Sequence, residues 1–459
     1  MPEKQFYDYI IVGAGILGCA TAKYLKEQIP KDEKVLLVDK YATCGQGNTS
    51  KSNACYRNVF DTILNIELCN ASIEYYKHVE KTTNVGLKEF GYLWLLTESQ
   101  MKKRQEKSIT VESEQIKYSL LDFLETQQVK FKILPQYEIQ QIFPSLQLAG
   151  DSGEETKTIR YGLLGYQCGS LSPDLLVQYY EQELIKQGGE TLYGHEVTEI
   201  LLKEKNKAFD KDYFPTVWRE SEVAGIKVKK LKTKEEEVIL AKKVILCTGA
   251  WVNQLLYKIG LHIGINAKKR QLFRIAKKKK FVINKSFDNK FDSIPFIILP
   301  EGGVFIKPIP ENGSVDVGCS DDVGRSFEQE PLLVSKIDPF KNKLDNPQGE
   351  LEFYQTDVLP VLKGYFPKEF NEKILIEHPS AGMYAYSLDK FPIITKELGN
   401  LFICSGASGS GIMKGDSIAR INVANILEKS ICTLFNGTAV TVKDFSLHER
   451  NVPQETLIL

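Results

Sequence analysis

The feature that most constrains the fold of this chain is a glycine-rich turn near its start. Apolar residues 9–12 lead directly into Gly13-Ala14-Gly15-Ile16-Leu17-Gly18, and small or apolar residues follow over 19–25. This order predicts a buried parallel strand, a tight turn and a helix packed on the strand. Gly13 permits the turn, Gly15 lets a pyrophosphate approach the backbone, and Gly18 lets helix and strand pack closely.

An acidic residue ends the next predicted strand. Residues 35–38 are apolar, and Asp39 follows Gly13 by 26 residues, close to the roughly 20 expected for a dinucleotide-binding unit. A carboxylate there accepts hydrogen bonds from both hydroxyls of an adenosine ribose and repels a 2′-phosphate. The sequence therefore predicts FAD or NAD as ligand, with a glycine turn that binds nothing as the alternative.

Two further glycine sites follow predicted strands. Residues 243–247 lead into Thr248-Gly249-Ala250-Trp251 and a helix at 252–256, and residues 400–404 lead into a glycine-rich loop over 405–411 and a helix at 412–427. Each site places backbone N–H groups at a strand end. A dehydrogenase that uses only NAD needs neither site, so the pattern favours a flavin.

Composition excludes several other classes of protein. The chain has 459 residues, 59 basic against 59 acidic, and 42% hydrophobic residues, which indicates a globular protein of two domains or one large body and no nucleic-acid partner. Nine cysteines lie outside any C-x-x-C pattern and five histidines show no metal-ligand spacing, so we expect reduced thiols and no metal. No leader and no apolar run of about 20 residues is evident, and we expect a cytoplasmic protein with no transmembrane segment.

Four segments resemble motifs of the D-amino-acid oxidase and sarcosine oxidase superfamily, FAD-dependent oxidoreductases that include glycine oxidase and dimethylglycine dehydrogenase-like proteins. Residues 47–57 are similar to the family's G-S-T-G-R-S-A-G-G-I-R segment, which passes the flavin. Residues 162–173 resemble its G-x-hydroxyl-Pro entry into a helix, here 174–187. Residues 381–394 resemble A-G-x-Y…D-x-x-P-I-I-G, and 408–411 resemble S-G-H-G. The resemblance extends over most of the chain.

The resemblance implies an α/β fold. It has an FAD-binding Rossmann-like domain with a doubly wound, mostly parallel sheet, and an inserted α+β substrate domain on an antiparallel sheet. We assign 1–84, 160–258 and 376–459 to the FAD-binding domain, and 85–159 and 259–375 to the substrate domain. Alternating strands at 295–299 and 303–306 support the second sheet. The charged stretch 203–243 is predicted to be a surface hairpin insertion.

Three residues are the catalytic candidates that the resemblance implies. Arg57 matches an arginine beside the flavin, and arginine is the natural bidentate partner of a carboxylate or of flavin carbonyls. Tyr384 matches an active-site tyrosine that would hydrogen-bond a substrate carboxylate. Arg270 resembles the arginine of an R-Q pair that opens a substrate-domain strand. The alternative for each is a structural role, as a surface ion pair, a buried tyrosine or a strand residue.

The motifs and the resemblance together imply a set of residues that contact the flavin cofactor. They are Gly13, Ala14, Gly15, Ile16, Leu17, Gly18, Asp39, Lys40, Asn48, Thr49, Ser50, Ser52, Asn53, Val197, Thr248, Gly249, Trp251, Gly382, Gly406, Ser408, Gly409, Ser410, Gly411, Ile412 and Met413. Loop 406–411 is implied to face the negative N1–C2=O edge of the reduced ring, where Lys414 would add positive charge.

Departures from the family pattern concern the flavin linkage and the substrate. Gly382 stands where sarcosine oxidases carry the cysteine that bonds the flavin, and Lys51 stands near the histidine that does so in dimethylglycine dehydrogenase-like relatives. We therefore expect non-covalent FAD. The ring histidine is replaced by Ser410, the carboxylate-binding lysine by Met413 and the second substrate arginine by Phe60. Sarcosine is thus not the expected substrate.

The leading interpretation is an FAD-dependent oxidoreductase that oxidises the C–N bond of a small amino acid or N-alkyl amino acid by hydride transfer to flavin N5. The imine then hydrolyses, and O2, a quinone or a protein reoxidises the flavin. One alternative is an FAD-dependent dehydrogenase of a 2-hydroxy acid or glycerol phosphate. A hydroxy acid requires a base, for which His78, His195, His262 and His378 are available. Another alternative is a non-catalytic flavin-binding assembly factor.

Overall fold

The structure, a computed structural model, describes residues 6–106, 109–111, 116–149, 157–213, 220–276, 293–319, 344–370, 375–453 and 455, which contain both strands and helices. The strands are β1 Phe6–Val12, β2 Val35–Val38, β3 Cys55–Tyr56, β4 Lys88–Glu89, β5 Tyr92–Thr97, β6 Ile109–Val111, β7 Ile116–Tyr118, β8 Phe131–Pro135, β9 Ile159–Gly165, β10 Gly169–Ser170, β11 Glu190–Leu192, β12 His195–Glu204, β13 Ser221–Lys230, β14 Glu236–Leu246, β15 Asn266–Ile275, β16 Phe296–Ile298, β17 Phe305–Ile309, β18 Ser314–Gly318, β19 Ile376–Tyr386, β20 Ile393–Glu397, β21 Leu401–Ser405, β22 Ile431–Thr433 and β23 Ala439–Thr441. The α-helices are α1 Ile16–Gln28, α2 Ile63–Glu80, α3 Glu98–Glu106, α4 Leu120–Thr126, α5 Gln136–Ile142, α6 Pro173–Lys186, α7 Val252–Leu256, α8 Leu351–Phe353, α9 Leu359–Tyr365, α10 Pro367–Phe370 and α11 Gly415–Ile426.

The first large sheet has the strand order β11-β2-β1-β14-β13-β12, and β21 and β20 extend it from β14. Four pairs at its centre are parallel: β2 with β11, β1 with β2, β1 with β14, and β14 with β21. Helices α1, α6 and α11 pack against one another on one face. Because parallel strands end at the same edge, the turns after β1, β2, β14 and β21 are brought together there.

The stretch predicted as a surface hairpin insertion does form a hairpin, since β13 and β14 pair antiparallel, but the hairpin is part of this sheet, so its predicted surface position is wrong. Strand β13 hydrogen-bonds to β12 on one side and to β14 on the other, both antiparallel. Its apolar side chains Val223, Ile226 and Val228 are fully buried. Lys227 and Lys229 alternate with Ile226 and Val228, and the low apolar content of the whole stretch concealed this period-2 segment.

The second large sheet has the order β19-β15-β18-β17-β16-β5-β9-β8. Its pairs are antiparallel except for β5 with β16. Two hydrophobic clusters, one around Phe273 and one around Trp94, pack on this sheet. The predicted fold class is confirmed. The division into two discontinuous domains stays a prediction, and strands β9 and β19 at its boundaries pair within the second sheet.

The predicted helices at the glycine sites have counterparts in the structure. Helix α1 begins at Ile16 directly after the first turn, and α7 covers Val252–Leu256 as expected. The last one, α11, begins at Gly415 and not at Ile412. A turn takes up the intervening residues, in which the Lys414 amide donates to the Ser410 carbonyl at 3.1 Å.

All nine cysteines are buried and have free thiols, in agreement with the sequence analysis. Among the residues that the structure describes, no helix combines the length and apolarity needed to cross a bilayer.

Candidate functional site

The first glycine turn has the geometry that its sequence requires. Gly13 has φ +102°, and a Cβ atom on it would lie 2.7 Å from the Cys247 carbonyl oxygen. A Cβ on Gly18 would lie 1.8 Å from the Gly13 carbonyl oxygen. Both positions therefore accept only glycine without a shift of the backbone. Gly15 differs, because its Cβ would meet only the Thr49 hydroxyl, at 3.1 Å.

Asp39 joins the turn to the end of β2. Its Oδ2 accepts a hydrogen bond from the Ala14 amide at 2.6 Å, and its Oδ1 accepts one from the Tyr41 amide at 2.9 Å. A carboxylate has about four lone-pair positions, so two positions are left for a ligand's hydroxyl groups. The side chain is only partly buried, and it lines the cavity at this edge of the sheet.

A large cavity, here called the first cavity, lies where the turns after β1, β2, β14 and β21 meet. The residues predicted to contact the cofactor that line it are Gly13, Gly15, Ile16, Leu17, Asp39, Lys40, Asn48, Thr49, Ser52, Val197, Thr248, Gly249, Trp251, Gly406, Ser408, Gly409, Gly411 and Ile412. Three glycine sites that are far apart in sequence therefore share one cavity.

Other predicted cofactor residues lie elsewhere. Asn53, Gly382, Ser410 and Met413 line a second cavity. Ala14 and Gly18 shape the turn through their contacts with Asp39 and Gly13. Ser50 is exposed and lines neither cavity.

The first cavity fits a flavin dinucleotide. The Thr248 hydroxyl is buried and has no hydrogen-bond partner among the described residues, so a bound polar group would satisfy it. Gly15 leaves open the space in front of the α1 N-terminus, where a pyrophosphate is favoured. The same cavity reaches the loop 406–411, in which Gly406 and Gly409 have φ +75° and +82°.

Tyr384 connects the two cavities. It lines both, together with Ser408 and Gly409. A Cβ on Gly409 would lie 2.5 Å from Cε2 of the tyrosine ring, so the ring packs directly on the glycine loop. A molecule in the second cavity would therefore lie next to the end of the first cavity that the 406–411 loop forms.

The second cavity is rich in basic side chains. Those that line it are Lys51, Arg57, Arg270, Lys390 and Lys414, and Glu455 is the one acidic residue among the described lining residues. The predicted catalytic residues Arg57, Arg270 and Tyr384 thus lie together in one cavity. The excess of positive charge favours an anionic ligand.

Arg57 and Arg270 are held by different contacts. The Arg57 side chain is 5% exposed, its Nη1 donates to the Val59 carbonyl, and its guanidinium lies 4.0 Å from the centre of the Phe60 ring. The Arg270 Nε donates to the Tyr386 hydroxyl at 3.3 Å. Arg270 lies opposite Gly382 in the pairing of β15 with β19, so the strand register places it at the level of the Gly382–Tyr384 segment.

Lys414 is the most deeply buried cation of the second cavity. It is 2% exposed, and burial lowers the pKa of its ammonium group, which nearby Cys69 and Glu455 partly offset. The ammonium lies 5.2 Å from the Phe60 ring centre and 5.5 Å from that of Phe391. Within the described part of the chain it forms no ion pair and no hydrogen bond. Lys414 lines the second cavity and not the first, and its predicted position beside the flavin ring stays a prediction.

Replacing Lys414 with methionine is expected to stabilise the ligand-free protein at neutral pH, by at least about 1 kcal/mol, because an unpaired buried charge is removed. The pKa of this group is 10.5 in the unfolded chain and lower in the folded protein. Between those values the unfolded chain binds more protons, so the wild-type protein gains stability as pH rises. Thermal unfolding at several pH values should show this gain in stability in the wild type and not in Lys414→Met. If the unfolding temperature of both proteins changed equally with pH, the prediction would be contradicted.

Several lining residues were missed by sequence reasoning because they belong to no motif. In the second cavity these include Asn65 from α2, Tyr386 from β19 and Glu455 near the end of the chain. The Glu455 carboxylate is 6% exposed and accepts hydrogen bonds from the Asp61 amide, the Thr62 hydroxyl and the Asn65 amide group. These contacts join residues almost 400 positions apart, for which the sequence gives no local signal.

Comparison with known families supports the geometry of the first cavity. The family model described as DAO, FAD dependent oxidoreductase, matches residues 8–424. Comparison with curated protein sequences gave no significant match.

Solved structures share the fold at low sequence identity. Glycine oxidase from Geobacillus kaustophilus has a TM-score of 0.67 and 16% identity, with 96% of this chain and 98% of that chain covered. L-amino acid deaminase from Proteus vulgaris has a TM-score of 0.68 and 15% identity, with 98% and 97% covered. L-proline dehydrogenase from P. horikoshii has a TM-score of 0.65 and 19% identity, with 96% and 97% covered.

Proposed function

This chain belongs to the DAO family of FAD-dependent oxidoreductases, and from that premise we propose that it oxidises the C–N bond of a small amino acid or N-alkyl amino acid. The observation that carries the proposal is the second cavity, which adjoins the first through Tyr384 and gathers Arg57 and Arg270. The three similar structures named above bear the names of enzymes that act on amino acids, which supports this substrate class.

The first cavity holds FAD in this proposal, without a covalent bond. Asp39 binds the ribose hydroxyls, and the amides at the start of α1 bind the pyrophosphate across Gly15. Loop 406–411 and Tyr384 lie at the flavin end. Bound FAD supplies the two-electron acceptor, which takes a hydride equivalent from the substrate carbon.

Residues of the second cavity orient the substrate. Arg57 and Arg270 bind its carboxylate, and the Tyr384 hydroxyl donates to the same group. Asn53 and Asn65 line this cavity, and each has a buried amide oxygen with no partner in the described part of the chain. An amine N–H is the donor that such an acceptor needs. Loss of two electrons and two protons converts the amine to an imine, and water then releases a carbonyl compound and ammonia or the alkylamine.

Oxidation of a 2-hydroxy acid is less well supported. That reaction needs a base for the hydroxyl proton, commonly a histidine. Among the described residues, no histidine lines the second cavity. His195 lines the first cavity, where its Nδ1 contacts the Tyr193 carbonyl at 2.7 Å.

Product analysis separates the two reactions. Holoprotein incubated with amino acids or N-alkyl amino acids and an artificial electron acceptor should release one ammonia or alkylamine for each two electrons transferred. Acceptor reduction by 2-hydroxy acids or glycerol phosphate, with none by any amine, would overturn the proposal.

Asp39→Ala is expected to weaken FAD binding by about tenfold to 100-fold, since it removes hydrogen bonds between a carboxylate and the ribose hydroxyls. Titration of the apoprotein with FAD, followed by flavin fluorescence, measures the change. Asp32→Ala is the matched control, because Asp32 is an exposed aspartate that lines neither cavity. Unchanged affinity in Asp39→Ala would remove this residue from the cofactor site.

A further inference from the structure

The charge of the second cavity exceeds what one substrate carboxylate can balance. Its described lining has five cationic side chains and one anionic side chain. The Glu455 carboxylate already accepts three hydrogen bonds from residues 61–65, at 2.8–3.2 Å. In the proposed function a single carboxylate is bound by Arg57 and Arg270. Among the described residues, Lys51, Lys390 and Lys414 form no direct ion pair with an acidic side chain, although Asp345 and Glu455 act on Lys51 and Lys414 from a greater distance.

Lys414 has the strongest need for an anionic partner. An ammonium group that is buried and unpaired is costly, and a protein retains one where a ligand pairs with it. Within the described residues its ammonium forms no hydrogen bond and no ion pair, and it lies over the rings of Phe60 and Phe391. The Glu455 carboxylate favours the charged ammonium only from beyond ion-pair distance. Methionine or leucine would fill the same space at lower cost, so packing does not explain a lysine at this position.

Lys414 and Arg57 lie next to the same aromatic ring. Both cations contact the Phe60 ring, the guanidinium at 4.0 Å and the ammonium at 5.2 Å from its centre. The two groups thus stand close together, and, besides burial, the positive charge of Arg57 contributes to the lowered pKa of Lys414. One small molecule with two anionic groups could reach both cations.

We infer that the substrate is an amine with two carboxylates, one bound by Arg57 and Arg270 and the other paired with Lys414. This inference rests on the proposed function and narrows its substrate class to acidic amino acids and N-carboxyalkyl amino acids. The Lys414 ammonium stays protonated when the second carboxylate lies beside it, because an adjacent negative charge favours the charged form. Lys414 is then a specificity-determining residue.

Binding of unreactive analogues tests the inference without turnover. Glutarate and its monoamide have nearly the same size and differ by one negative charge. Titration of the FAD-bound protein, followed by calorimetry and by the flavin absorption spectrum, should give a dissociation constant for glutarate at least about tenfold below that for the monoamide. In Lys414→Met the two constants should become equal.

A matched lysine variant controls for loss of any positive charge. Lys396 forms an ion pair with Glu428 at 2.8 Å and lines neither cavity, so Lys396→Met should keep the preference for glutarate. Equal constants in the wild type, no binding of either analogue, or a preference that survives in Lys414→Met would each overturn the inference.

Flavin reduction by amines is measured separately, so that the two proposals can fail separately. If amines reduce the flavin but dicarboxylic amines have no higher kcat/KM than their neutral counterparts, the inference fails and the proposed function stands. If no amine reduces the flavin but glutarate is preferred through Lys414, the proposed function fails, and the inferred amine substrate fails with it.

Discussion

Gly15→Val is expected to abolish FAD binding at micromolar concentrations while the protein remains folded. The backbone at Gly15 has φ −79° and ψ −174°, an extended conformation that valine adopts readily. The Cβ atom of the added side chain would meet only the Thr49 hydroxyl in the protein, but the side chain would occupy the space through which a pyrophosphate reaches the α1 amides. Loss of two charge-assisted hydrogen bonds lowers affinity by about 100-fold or more.

Two other glycine variants serve as controls for this prediction. Gly264→Val changes an exposed glycine with no atom within 4 Å of its Cβ position, so affinity for FAD should be unchanged. Gly18→Val forces a side chain against the Gly13 carbonyl and should unfold the protein. Circular dichroism reports whether each of the three variants is folded, and FAD fluorescence reports whether it binds the cofactor. Gly15→Val protein that binds FAD normally would contradict the proposed position of the pyrophosphate.

Arg57→Met is expected to lower kcat/KM for the amino acid substrate by about 100-fold, because a substrate carboxylate loses its buried bidentate partner. Arg57→Lys should recover only part of the loss, since an ammonium group cannot match both carboxylate oxygens. FAD content should be retained in both variants, because Arg57 lines only the second cavity. Steady-state kinetics and the flavin-to-protein absorbance ratio measure these effects.

Arg274→Met supplies the matched control for the arginine variants. Arg274 pairs with Asp316 at 2.9 Å on the second sheet and lines neither cavity. The kcat/KM of the Arg274→Met protein should be close to that of the wild type. An Arg57→Met protein with normal kcat/KM and normal FAD content would place the substrate carboxylate elsewhere.

The cofactor turn was predictable because it is a local structure. The strand, turn and helix around Gly13–Gly18 fall within a short stretch, and two of its glycines, Gly13 and Gly18, are required by the backbone itself. The sites at Thr248 and Gly406 follow strands of the same kind. Their convergence follows from a parallel sheet, in which strand ends share one edge.

The lining of the second cavity was less predictable because it depends on long-range packing. Glu455 forms hydrogen bonds with Thr62 and Asn65, which precede it by 393 and 390 residues in the chain. The turn before α11 places Lys414 in the second cavity, a position that the predicted helix start at Ile412 did not anticipate. The buried position of strand β13 was missed because charged residues adjoin its buried Val223, Ile226 and Val228, which gives the stretch the composition of a surface segment.

The charge of Lys414 destabilises the ligand-free protein but contributes to ligand binding in this account. Burial lowers the pKa of its ammonium group and destabilises the ligand-free protein, whereas a second substrate carboxylate would compensate that charge. Lys414→Met should therefore raise the unfolding temperature and remove the preference for dianionic ligands in the same protein. A variant that changed neither property would show that the residue is neutral and without a binding role.

Anaerobic titration of the yellow FAD-bound protein with amines and hydroxy acids tests the central claim most directly. The account predicts that the absorbance near 450 nm, where oxidised flavins absorb, disappears with amino acids or N-alkyl amino acids. It also predicts that Arg57→Met requires far higher substrate concentrations for the same loss of absorbance. An absorbance that persists with every amine, or that disappears only with hydroxy acids, would contradict it.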